Sequence, residues 1–169
     1  MKAILEDIIS QVQKKNIPNI NYGGCGVFAV SLYKNLPKQM RPRLVVLIRG
    51  DASNYKFILK RQSNFNGLRI PHVVVRVGKL YVDNTGVSHN INDLCDGGCW
   101  GYNKVVVPFK KMENEVVKNW RKWNTDFNRT KHASILKATI KKAATKTLGN
   151  NKKMTKHTCL IQNKQLHLF

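Results

Sequence analysis

The run His72-Val73-Val74-Val75-Arg76-Val77-Gly78-Lys79-Leu80-Tyr81-Val82-Asp83-Asn84-Thr85-Gly86 decides the fold class. Two β-prone stretches flank Gly78-Lys79, which predicts a hairpin closed by a two-residue turn. In that register Val77 faces Leu80, Val74 faces Asp83 and His72 faces Thr85. Alternation along the strands then sorts the side chains into two sets. Val73, Val75, Val77, Leu80 and Val82 point to the core, while His72, Val74, Arg76, Tyr81 and Asp83 share the other face. His72 and Asp83 become diagonal neighbours at a separation side chains can bridge. A slip of one residue would put them on opposite faces, so the length of the turn matters more than any single residue in it.

Working outward, Leu44-Val45-Val46-Leu47-Ile48 reads as a buried strand and Lys104 to Phe109 as a further one. Tyr55 to Leu59 is a strand or a short helix, Arg61 to Leu68 an exposed loop, and the glycine-rich segment 85–103 mostly loop. Met1, Ile4, Leu5, Ile8 and Val12 recur at helical spacing and predict a helix over 2–14, before Pro18. Val27 to Leu36 reads as a second helix stopped near Pro37, with Cys25 on its first turn. Beyond Phe109 the pattern is helical again: Val116, Trp120, Trp123 and Phe127 form one stripe, and Leu136, Ile140, Ala143 or Ala144, and Leu148 another, with a break at Asn128 to Thr130. Gly149 to Lys156 is expected as a loop, and Cys159-Leu160-Ile161 and Leu166 to Phe169 as a short strand.

At 169 residues the chain suits one hydrophobic core. Its 30 Lys and Arg against 9 Asp and Glu give a formal charge of +21. Residues 112–169 alone hold 13 basic residues against 3 acids, and no acid follows Asp126. Such a field attracts polyanions without dictating a fold. Non-specific nucleic acid or an acidic protein is the expected partner of this region, through Lys137, Lys141, Lys142, Lys146, Lys152 and Lys153. A non-catalytic, nucleic-acid-binding or virion-associated structural protein is therefore one reading of the chain. Four cysteines make no dense disulfide framework, and no apolar stretch of about 18 residues is present. These features lead us to expect an intracellular, cytoplasmic protein without integral membrane association.

The other reading starts from Asn19-Ile20-Asn21-Tyr22-Gly23-Gly24-Cys25-Gly26. A cysteine at a helix entrance meets unpaired amides and the positive end of the helix dipole, which favour the thiolate. The Cys25 amide and the Asn19 carboxamide, with Asn21 as a second choice, are candidate donors to a developing oxyanion. His72 is the candidate base and Asp83 the group that orients it. Tyr22, Gly24 and Tyr81 are candidate cleft residues. No cofactor or resident metal is expected, although His89, Cys95, Cys99 and Cys159 form an alternative zinc set. The bland alternative for Cys25 is a small buried residue at a tight glycine turn.

The nucleophile run Gly24-Cys25-Gly26-Val27-Phe28-Ala29 and the strands from His72 to Gly86 together resemble the papain-like superfamily in its broad sense. That group includes cysteine peptidases, transglutaminase-like proteins and arylamine N-acetyltransferases. The resemblance implies the order Cys25, His72, Asp83 for nucleophile, base and third member. Asn19 stands where the papain-like peptidases usually carry glutamine. The short spacing from the nucleophile helix to the histidine, and an Asp rather than Asn as third member, look more like the transglutaminase-like or small amidase-type members than papain itself. The implied architecture is α+β: a nucleophile-bearing helix packed on a small antiparallel sheet. Residues 1–111 would form the catalytic core, and 112–169 a basic, mainly helical extension on the same domain. The implied activity is thiol-dependent hydrolysis or acyl transfer on a peptide, protein or small acyl substrate.

Overall fold

A computed structural model of the chain describes residues 1–48, 70–94, 102–118, 127 and 131–165; at 22, 115, 117, 118 and 150–165 only the backbone is described. The fold is α+β. In chain order the elements are α1 (Lys2–Gln13), a π-helical turn (Ile20–Gly24), α2 (Cys25–Asn35), β1 (Arg43–Ile48), β2 (His72–Val77), β3 (Leu80–Val82), β4 (Val87–Ser88), β5 (Asn103–Val107), α3 (Phe109–Lys118) and α4 (Lys131–Gln165). All strand pairs are antiparallel, in the order β4-β3-β2-β1-β5.

The hairpin of β2 and β3 pairs Val77 with Leu80, Arg76 with Tyr81 and Val75 with Val82. Gly78 takes φ +61°, a conformation cheap only for glycine, at the first position of the two-residue turn. The ladder stops at Val82, and the Asp83 N–H donates instead to the Gly86 carbonyl at 3.1 Å. Asn84, expected to extend the strand, thus belongs to a turn. β1 lies along the far side of β2, with Leu47 beside His72.

One sheet face carries Leu44, Val46, Ile48, Val73, Val75, Val77, Leu80, Val82, Val105 and Val107 into the main core. The opposite face holds a second, smaller core of Val45, Leu47, Val74, Ile91 and Leu94, with Tyr81 and Tyr102 half-buried against it. This corrects the expectation of a polar second face. Ile91 and Leu94 come from the segment 85–103, which also contributes β4 and a short 3-10 turn at Ile91–Asp93 rather than loop alone. The continuous apolar run of β1 fits a strand covered on both sides.

Every residue of α2 from Cys25 to Leu32 is buried, so this helix runs through the centre of the molecule. It packs against β2 and α4, while α1 presents Leu5, Ile8, Ile9 and Val12 and also packs on α4. α3 begins at Phe109, expected to end the last strand; its ring stacks on Tyr33 with centroids 4.9 Å apart. Glu113 of α3 pairs with Lys34 of α2.

The C-terminal segment departs most from expectation. α4 continues through 149–156 and 159–161, where a loop and a strand were predicted. Gly149 is the only glycine, and there is no proline, between 131 and 165. One interior glycine costs about 1 kcal/mol, too little to stop an established helix. Ala133, Leu136, Ile140, Ala143 and Ala144 enter the same core as α1 and α2. Thr147, also buried, ties α4 to α1 by donating to Asp7 Oδ2 at 2.6 Å. The expected features at 55–59, 61–68, 120–126 and 166–169 lie outside the described residues.

Candidate functional site

Cys25, His72 and Asp83 come from three different elements and meet at one end of the sheet. Cys25 is the first residue of α2, His72 the first of β2, and Asp83 the residue just past β3. Their relative exposures are 2%, 4% and 1%, so the group is enclosed. His72 Nε2 lies 3.0 Å from Asp83 Oδ2. With Nε2 so engaged, Nδ1 is the other ring nitrogen, and Cys25 lies near enough to the ring to help raise its pKa.

Asp83 is itself held by the turn that follows it. Its Oδ1 accepts from the Thr85 N–H at 2.7 Å, the Thr85 hydroxyl at 2.5 Å and the Gly86 N–H at 3.3 Å. Premature ending of β3 therefore has a purpose in the geometry: it folds 83–86 around one carboxylate oxygen and leaves the other for His72. Gln13, from the end of α1, donates to the Asn84 carbonyl at 2.7 Å and braces the same turn.

Burial works against charge on the His72 ring. The hydrogen bond with Asp83 and the electrostatic pull of that carboxylate, with a contribution from nearby Cys25, overcome it and raise the pKa from 6.5 to about 10. Burial likewise opposes ionisation of Asp83, but hydrogen bonds from His72 and Thr85 hold its pKa below the ordinary value. The two shifts are complementary, and the arrangement keeps an imidazolium against a carboxylate at neutral pH.

The approach to Cys25 differs from a simple helix entrance. The π-helical turn runs directly into α2, and the Gly24 N–H donates to the Asn19 carbonyl at 3.2 Å. Asn19 adopts φ +56° at the head of this turn. That left-handed backbone is one asparagine tolerates better than most residues. Asn19 and Asn21 line an open polar cavity of about 490 Å³ with Gln13, Asn84 and Thr85. Asn21 Oδ1 is buried in the structure with no partner among the described residues.

Gly24 does not open onto a cleft. The Phe127 ring lies against it so closely that a Cβ there would stand 2.8 Å from Phe127 Cε2. Phe127 is buried and meets the His132 ring edge-on at a centroid distance of 5.6 Å. The sequence offered no sign of this contact, which joins residues more than a hundred positions apart. Tyr81 packs on the second core, beneath Lys104 Nζ at 5.6 Å from its ring centroid. The Tyr22 side chain lies outside the described residues.

Lys137, Lys141, Lys142 and Lys146 are exposed on α4, whereas the side chains of Lys152 and Lys153 lie outside the described residues. So do Cys95, Cys99 and the Cys159 side chain, leaving His89 as the described member of the alternative zinc set. Among the described residues no three metal-ligating side chains gather, and no helix is long and apolar enough to cross a membrane. Comparison of the chain with protein-family profiles, curated proteins and solved structures returned no match.

Proposed function

We propose that the chain is a thiol-dependent acyl-transfer enzyme, a hydrolase or acyltransferase acting on an amide, ester or thioester. One observation carries this reading: a buried histidine has its Nε2 fixed on Asp83 at 3.0 Å, and the cysteine at the start of the central helix lies near enough to the same ring to help raise its pKa. A purely structural cysteine needs no oriented, charged imidazole beside it.

In the proposed reaction Cys25 Sγ attacks the acyl carbonyl as the thiolate, with its proton resting on His72. The new S–C bond forms as the carbonyl π electrons move to oxygen. Collapse of this oxyanion expels the leaving group, which takes the Nδ1 proton of His72. Water or an amine then attacks the thioester, gives its proton to His72 and releases Cys25. Asp83 keeps Nε2–H engaged throughout and stabilises the imidazolium. The Asn19 carboxamide is the candidate oxyanion donor.

Alkylation by iodoacetamide, mapped by peptide mass, tests the activation. Cys25 is expected to react faster than Cys95, Cys99 or Cys159 in the folded protein, and His72→Ala to abolish that preference while leaving the circular dichroism spectrum unchanged. Equal rates at Cys25 in wild type and His72→Ala would sink the reading.

A further inference from the structure

We propose that the exposed face of α4 is a docking surface for the phosphate backbone of nucleic acid, independent of the cysteine chemistry. Residues 131–165 include nine lysines and no acid. Lys137 and Lys141 are one turn apart, as are Lys142 and Lys146, and like charges at this spacing destabilise a helix. The dipole favours cations only near the last turn. Helix stability therefore gives no reason for this pattern, and a bound polyanion does.

The arc of the lysines follows from what the core takes. Ala133, Leu136, Ile140, Ala143, Ala144 and Thr147 are buried. At about 100° per residue, Lys137 and Lys141 then border one side of the outer face, and Lys142 and Lys146 stand on the other. Between these two rails lie the small exposed residues Ser134, Ala138 and Thr145. Elsewhere Lys2 pairs with Glu6, and Lys34 and Lys110 with Glu113. The four rail lysines have no carboxylate partner among the described residues.

The same face argues against other polyanions. An interfacial membrane helix needs an apolar side to insert, and over the described side chains of α4, 131–149, that side is spent on the core, leaving Ile135 as the exposed large apolar residue. Protein interfaces concentrate affinity in clustered aromatic or apolar anchors, and among the described residues this face offers Ile135 alone. Phosphate backbones need neither, because counterion release supplies affinity from charge alone.

The test is fluorescence anisotropy of the full chain with a labelled random-sequence duplex of about 20 base pairs, between about 50 and 200 mM salt. Replacing Lys137, Lys141, Lys142 and Lys146 together by Gln should reduce the magnitude of the log–log salt slope by about 3–4. A control variant with Lys14, Lys15, Lys38 and Lys79 changed to Gln removes equal charge elsewhere and should leave the slope nearly unchanged. Absence of binding, or equal loss in both variants, would overturn the proposal. So would tighter binding to phosphatidylserine vesicles than to the duplex, or displacement of the duplex by polyglutamate at lower charge concentration than by unlabelled duplex.

Discussion

His72 meets two demands at once, staying charged inside a closed site and holding one orientation beside Cys25, and Asp83 serves both. Removing the carboxylate in Asp83→Ala should cost about 3–5 kcal/mol of stability, since it strands a buried cation. The pair also sets a pH dependence. A raised histidine pKa stabilises the fold fully below 6.5, and this contribution fades as pH climbs towards about 10. The depressed Asp83 pKa acts oppositely: its contribution is full above 3.8 and fades as pH falls below that. Stability from the pair should therefore plateau between 3.8 and 6.5 and decline on both sides. Urea midpoints across pH would show it, and Asp83→Asn should flatten the alkaline decline; a wild-type midpoint unchanged from pH 6.5 to 10 would contradict the charged pair.

Between elements, the contact of Phe127 with Gly24 clamps the turn that delivers Cys25. Gly24→Ala forces a methyl into that ring and should cost about 1–3 kcal/mol. Phe127→Ala removes a buried ring and should cost about 3–5 kcal/mol. In the double variant the added methyl finds space, so the summed losses should exceed the measured one; strict additivity in urea unfolding would show that the two residues do not press on each other. The hairpin was legible in advance because its information is local: period-two alternation around a glycine turn. The second core was not, because Val45 and Val74 find Ile91 and Leu94 only after a glycine-rich segment folds back across the sheet. The π-helical turn was equally hidden, since nothing in Ile20 to Gly24 marks an extra residue per turn.

Across the whole molecule, α4 belongs to the core that holds α1 and α2 together rather than to a detachable basic extension. Leu136→Ala and Ile140→Ala should each cost about 2–5 kcal/mol, as for other fully buried side chains. Losses below about 1 kcal/mol, measured by denaturant unfolding, would show that α4 is not packed as described. By itself the sequence determined the α+β class, the hairpin register, the helical stripe of 136–148 and the residue types of the site, all of which rest on short-range periodicity and turn chemistry. Only the tertiary structure decided that Cys25 lies beside His72, that Phe127 closes over Gly24, and that α4 turns Leu136 and Ile140 to the core while Lys137, Lys141, Lys142 and Lys146 face outward. Those outcomes depend on contacts between residues far apart in the chain, where packing selects among arrangements that local sequence leaves equal.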